Sequence, residues 1–220
     1  VACKTFDDWT GGLSWRRFWR WTPGLKRWVI GQALLARGIA TPRPCLTWRP
    51  SKGPNRGQIF VACEWIAGAE TLDAVLVRVA ELPDGAARRV ALDALAKQVG
   101  KLLGDLHRWG ATHHDLNAAS LLVDHVDWPS LVAGSKIAVK LVNLDSVVLG
   151  RSESLAAAAA DLQTFAGSIP TAILSDLRTR RRFLSAYFAT FRLSAPERRR
   201  RAALFAASIP FAGQSPQKTS

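Results

Sequence analysis

From Ala86 to Trp109 apolar residues recur at three- and four-residue steps, with Leu92, Leu95, Val99, Leu102, Leu103 and Leu106 on one face, and Gly110 closes the run. That periodicity predicts one long amphipathic helix with a glycine placed to end it. Such a helix cannot stand alone in water, so other elements must cover its apolar face. Directly after it, Gly110 to Asp124 reads GATHHDLNAASLLVD, a polar cluster running into a short apolar strand. Functional groups concentrate on loops, and His113, His114, Asp115 and Asn117 crowd into this one.

The segments before the helix have a different texture. Val1 to Thr5 is a short β-type run, and Asp7 to Trp21 is rich in Gly, Asp and Trp. A helix is expected over Lys26 to Arg37, stopped by Gly38. Thr41-Pro42-Arg43-Pro44 is an extended connector, because neither proline can continue a helix. Strands are expected over Cys45 to Arg49 and Gln58 to Ile66, joined through the turn-rich SKGPNRG. Residues 1–67 therefore read as a small α+β lobe and residues 68–212 as a helical lobe, with 213–220 a flexible tail. Within the second lobe, apolar runs at Leu121 to Val123 and Lys136 to Val142 suggest a small sheet. Helices follow over Leu155 to Ala166, over Ala172 to Phe191, and from Ser194, whose spacing to Glu197 is that of a capping box.

An apolar share of 48% in 220 residues excludes disorder as the main description. A bilayer helix needs about 20 consecutive apolar residues, and no run here approaches that. Cys3, Cys45 and Cys63 lack C-x-x-C spacing, which argues against a disulfide framework or zinc knuckle and for a reducing, cytoplasmic setting. The net charge of +13 gathers at Arg16, Arg17 and Arg20, at Arg178 to Arg182, and at Arg198 to Arg201. Clusters of this kind attract nucleic acid, an anionic membrane surface or a phosphorylated substrate; solvated helix faces are the plainer reading.

Adjacent histidines make a poor metal pair, since neighbours on an extended chain point to opposite faces. No cysteine sits in a catalytic setting. Turn formation and capping by Asp115 and Asn117 is the structural alternative. Against it stands the spacing of His113, Asp115, Leu116 and Ser120, which follows the H-x-D-L-x-x-x-N pattern of a kinase catalytic loop with serine in the last place.

Taken in order, Val1-Ala2-Cys3-Lys4, a helix, a hairpin ending in Glu64-Trp65-Ile66, the long helix, HHDLNAAS, a strand pair and Val142-Asn143-Leu144-Asp145 resemble the protein-kinase-like fold from its third strand onward. More narrowly, GIATPRP, HHDLN, N-L-D and RRFLSAYF resemble the bacterial lipopolysaccharide kinases that phosphorylate Kdo or heptose. The resemblance implies a two-lobed α+β fold with an incomplete small lobe, the Gly-rich hairpin being expected upstream of Val1. It implies ATP and Mg2+ as cofactors. Lys4 resembles the lysine that contacts the ATP phosphates, and its partner glutamate would fall near Gly31 or Gln32, where Gln32 offers a neutral hydrogen bond at most. Glu64, Trp65 and Ile66 resemble the adenine-reading hinge, and Asp115 the catalytic aspartate. Asn117 is expected to hold the loop or the sugar, and His113 to brace the backbone. At the metal, Ser120 replaces an asparagine and Asn143 replaces the principal aspartate, leaving Asp145 as the substitute carboxylate.

Three functions follow as expectations. One is a sugar kinase acting on the lipopolysaccharide inner core, drawn by its basic clusters to that glycolipid and to the inner-membrane surface. The second is an impaired kinase-like binding module, motivated by Ser120, Asn143 and the missing glutamate. The third, nucleic-acid binding through WRRFWRW, has the weakest support, since no known nucleic-acid motif accompanies it.

Overall fold

The computed structural model describes residues 2–7, 23–56, 58–83, 85–124, 128–135, 137–150 and 152–208. Strand β1 (Ala2–Asp7) pairs antiparallel with β3 (Gln58–Cys63), which pairs antiparallel with β2 (Pro44–Trp48), giving the order β1-β3-β2. The register sets Lys4 opposite Val61. Alternation along β3 buries Ile59, Val61 and Cys63, and helix α1 (Pro23–Ala36) packs against this sheet. Gly38, at φ 73°, ends the helix as its sequence position predicts. The β3 strand stops at Cys63, three residues short of the expected Ile66, with one further bond to the β2 side from the Glu64 N–H to the Arg43 carbonyl at 2.8 Å.

Beyond Gly68 come β4 (Glu70–Thr71), α2 (Leu72–Glu81) and α3 (Ala86–Arg108), then β5 (Ala111–His113), β6 (Leu121–Asp124), α4 (Trp128–Val132), β7 (Ala138–Leu141) and β8 (Val147–Leu149). The chain closes with α5 (Leu155–Gly167), α6 (Thr171–Leu174), α7 (Leu177–Ala189) and α8 (Ala195–Ser208). A sheet of order β4-β6-β7 and a β5-β8 ladder lie beside α3. One core cluster takes in α3 residues Leu95, Leu103 and Leu106 together with Leu121, Leu141 and Leu162, and it also includes Ile30, Leu34 and Ile39 from the α1 region. The upper helix is thus anchored in the lower core, and the Leu141 N–H donates to Ala40 O at 2.8 Å across the same boundary.

The helix expected over Ala172 to Phe191 is two helices. Asp176 interrupts it, its carboxylate accepting from the Arg178 and Thr179 N–H groups at 3.1 and 3.3 Å and so capping α7. The Thr179 hydroxyl also donates to this carboxylate and holds it below the usual aspartate range. The capping box at α8 forms as expected, with the Ser194 N–H donating to Glu197 Oε2 at 2.9 Å. Strands β4, β5 and β8 have two or three residues each, too few to show a period in the sequence.

Helices α3 and α7 make the most extensive helix–helix contact. Gly100 and Gly104 lie one turn apart on the α3 face, and a Cβ at either would come within 2.4 Å of Phe183 O or 2.5 Å of Tyr187 O. Glycine lets the two backbones close to a distance that any side chain would prevent. Alanine in place of Gly104 would gain about 1 kcal/mol of helix propensity, but the clash is with backbone and with Thr190 Oγ1 at 2.6 Å. Overpacking wins: Gly104→Ala is expected to destabilise the protein by about 1–3 kcal/mol, read as a lower urea midpoint at unchanged slope.

Candidate active site

A cleft of about 220 Å³ opens between the two halves. Its upper wall is Ala2, Arg27, Thr41 and Pro42, its back is Cys63 to Ile66, and its floor is Leu122, Val142 and Leu144. Glu64, Trp65 and Ile66 thus line the cleft. The Glu64 N–H is already committed to Arg43 O, and its carboxylate accepts from the Arg43 N–H at 3.2 Å. Burial pushes the Cys63 thiol up, against the Arg27 guanidinium that would lower it.

Gly110, at φ 70°, turns the chain out of α3 into β5. The loop that follows folds on itself. Asn117 Nδ2 donates toward Asp115 O and Oδ1 at 3.3 and 3.4 Å, while Asn117 Oδ1 accepts the Ser120 N–H at 3.0 Å and caps the 3₁₀ turn Ala118–Ser120. The Ser120 hydroxyl, buried, sits 3.1 Å from Asn117 Oδ1 and 3.2 Å from Asp115 O. Asn117 thus both starts the turn and holds Asp115. Asp115 itself is exposed.

This loop hangs from a buried carboxylate. Asp161 of α5 is 4% exposed, and its Oδ2 accepts the His113 N–H at 2.6 Å and lies 3.1 Å from His107 Nε2. His107 Nδ1 is 2.8 Å from the Tyr187 hydroxyl. An ionised carboxylate only accepts, so Nε2 is the donor to it, and in the neutral ring that leaves Nδ1 to accept from the tyrosine hydroxyl. Burial raises the Tyr187 phenol far above its ordinary value and keeps that proton in place. His113 is fully buried and its Nδ1 accepts the Asp115 N–H at 3.3 Å, which is the bracing role expected of it.

The second half of the site is the turn after β7. Asn143 adopts the left-handed conformation, φ 56° and ψ 49°, one of the few residue types that does so cheaply. Asp145 Oδ2 forms an ion pair with Lys4 and a second with Arg27 Nη1 at 3.1 Å. Two backbone bonds set this turn beside the loop, Val142 N–H to Ser120 O at 2.8 Å and His114 N–H to Ser146 O at 3.1 Å. Lys4 is thus brought to Asp145. Gln32 is not brought to Lys4: its amide donates to Pro44 O at 3.3 Å. Nor has Gly31 room for an acid, since a Cβ there would lie 2.5 Å from Pro44 Cγ.

For a metal ion, Asp145 Oδ1 is the informative atom, a buried acceptor without a hydrogen-bond partner. Ser120 is spent within the loop. Among the described residues no three His, Cys, Asp or Glu side chains gather as a metal cluster. That single free carboxylate oxygen fits one hard cation of the magnesium type, which accepts one protein carboxylate when phosphates supply the rest.

A model of the "Lipopolysaccharide kinase (Kdo/WaaP) family" matches residues 25–187. The chain belongs to that family. Among solved structures, "WaaP in complex with acyl carrier protein" is similar, with a TM-score of 0.64 and 22% identity over 84% of this chain and 72% of that one. That likeness shows the kinase-like fold, the two-lobed α+β architecture expected from the sequence. No curated protein matches.

Two parts of this family member's site belong to no motif of its sequence. Arg27 lies one turn before Gly31 on α1, and the Asp161–His107–Tyr187 chain comes from three separate helices. The sequence signal for the latter was a polar residue on each otherwise apolar helix face. The tryptophan-arginine run Trp15 to Trp21 lies outside the described residues. Replacing Asp161 by asparagine breaks two charge-assisted bonds in a dry site and is expected to cost roughly 3–5 kcal/mol. Tyr187→Phe removes one neutral bond and should cost about 1–2 kcal/mol. Urea denaturation of both variants checks the ranking.

Proposed function

We propose that the protein is an ATP-dependent kinase that phosphorylates a sugar hydroxyl, Kdo or heptose, of a lipopolysaccharide inner core. What supports this most is Asp115, exposed on a loop in which Asn117 and Ser120 are held by hydrogen bonds, in a chain of the lipopolysaccharide kinase family. Asp115 accepts the acceptor hydroxyl's proton as that hydroxyl's oxygen bonds to the γ-phosphorus and the bond from that phosphorus to the β–γ bridging oxygen breaks, ADP leaving with the electron pair, while Asn117 keeps the carboxylate aimed. Lys4 contacts the ATP phosphates, and the backbone of Glu64 to Ile66 reads the adenine edge. Asp145 and Asn143 would hold magnesium, which would supply charge neutralisation on the transferred phosphoryl group. Arg181, Arg182 and Arg198 to Arg200 are exposed on α7 and α8 and give the anionic glycolipid, or the inner-membrane surface that carries it, a cationic face to meet. Among the described residues no helix is long and apolar enough to cross a membrane.

A second reading, a nucleotide-binding module without turnover, is favoured by one observation: Ser120 is buried and committed, so the place of the second metal-binding side chain is closed. Transfer of labelled γ-phosphate to Kdo- and heptose-containing acceptors separates the two. Under the first reading turnover is seen, and Asp115→Asn lowers it by about 10²–10⁴-fold with little change in ATP affinity. Absence of transfer at saturating magnesium, with ATP binding intact, would select the second. Asn143→Asp keeps a residue type that tolerates the left-handed backbone and is expected to raise turnover most at low magnesium.

A further inference from the structure

The upper wall of the cleft carries a cation that the kinase motifs do not call for. Arg27 lines the cleft, its side chain 15% exposed, with Nη1 3.1 Å from Asp145 Oδ2. Steric exclusion at Gly31 and the diversion of Gln32 to Pro44 leave Arg27 as the α1 side chain that reaches this end of the cleft. Its neighbour Cys63 is held protonated by burial and does not offset its charge. Asp145 faces Arg27 and Lys4 together, so the three side chains carry one net positive charge. In the kinase pattern the lysine stands against a helix glutamate and a metal-binding aspartate, one net negative charge that draws in cations. Among these three side chains the sign is reversed, and two adjacent cations are placed where phosphate oxygens can meet them.

We infer that Arg27 is a nucleotide-phosphate-binding residue, its guanidinium taking over charge neutralisation that the serine at 120 and the asparagine at 143 no longer secure through metal ions. The inference rests on the kinase reading above. Guanidinium is suited to the task, since its planar fork meets two phosphate oxygens at once. An arriving phosphate exchanges one oxyanion for another at Arg27 and Lys4. Asp145, released from them, becomes available to a metal ion or to water. ATP binding is therefore carried largely by protein cations and depends weakly on magnesium.

Titration calorimetry of the full chain with ATP, in excess magnesium and in EDTA, tests this. The wild-type protein is expected to bind ATP in EDTA within about tenfold of its affinity in magnesium. Arg27→Gln should lose about 10- to 100-fold in EDTA, the weight of one charge-assisted bond, and less in magnesium, while Arg27→Lys recovers most of the loss. Asp145→Asn supplies a readout with the opposite sign. Freed of their carboxylate, Lys4 and Arg27 should bind ATP more tightly in EDTA, and the lost donor should weaken binding in magnesium. A merely structural role for the triad would weaken both, and should Arg27→Gln fail to fold, the sign of the Asp145→Asn effect decides. Unchanged EDTA affinity in Arg27→Gln, or wild-type binding that requires magnesium, overturns the inference and leaves the kinase reading standing. No ATP binding under either condition overturns both.

Discussion

A carboxylate buried in a protein interior must be fully satisfied, and Asp161 is where this chain meets that demand. Desolvation of an unpaired carboxylate costs several kcal/mol. Asp161 avoids the cost by accepting from the His113 backbone and from His107, itself held by Tyr187. These partners come from α3, β5 and α7, so one charge fixes four elements relative to each other. The loop bearing Asp115 starts at the residue whose N–H is held most tightly. At its far end the Ala118 N–H donates to Ser168 Oγ at 2.9 Å, just past α5. The same helix therefore pins the loop at both ends. An exposed side chain on a loop is held in one place only by such outside support, because the loop itself buries too little to be rigid.

The supporting helices must approach closely for the chain of bonds to span them. Gly100 and Gly104 allow α7 to lie against α3, which brings the Tyr187 hydroxyl within reach of His107. Around that tyrosine, Phe188, Phe191 and Phe205 pack with ring centroids 5.1, 5.3 and 5.6 Å away. Phe205 belongs to α8, so the aromatic cluster ties the last described helix to the polar chain under the loop. Packing and polar geometry are here the same requirement. A tyrosine that bonds a buried histidine must itself be buried, and the aromatic rings exclude the water that would compete for its hydroxyl.

The long helix and its glycine stop, the capping box at Ser194 and the hairpin were legible because each has a local cause. So was the loop, since the spacing of His113, Asp115 and Asn117 within one short segment encodes their contacts. What could not be read was any contact whose partners lie far apart in the chain. Lys4 and Asp145 were both named, one for phosphate and the other for metal, yet nothing in their local sequence says that they meet each other. Arg27 was hidden for a related reason. The expected glutamate directs attention to positions 31 and 32, and the exclusion that empties position 31 arises from Pro44 on a strand that the sequence places but cannot dock. The break at Asp176 was missed because the apolar period continues across it; only the side chain's bonds to the next turn reveal a new helix start.

The positive charge shows how far composition alone carries an argument. Of the arginine clusters, Arg178 is spent on Asp93 at 2.6 Å, and Arg201 pairs with Glu153 and sits 5.5 Å over the Phe191 ring. Arg78 joins Glu70 and lies 3.9 Å over Trp128. These charges hold helices in place and are largely neutralised locally, so they add little field at a distance. The exposed Arg181, Arg182 and Arg198 to Arg200 stand apart from that work, on the outer faces of the two helices whose inner faces form the aromatic cluster. An amphipathic helix needs a polar outer face, but it does not need that face to be all of one sign; lysine–glutamate alternation would solvate it equally well and repel itself less. With Glu197 the acid among them on α8, these exposed arginines still give an excess of positive charge beyond what solvating the two helices requires. It is the part of the net charge that argues for an anionic partner, whereas the structural arginines argue only for the architecture.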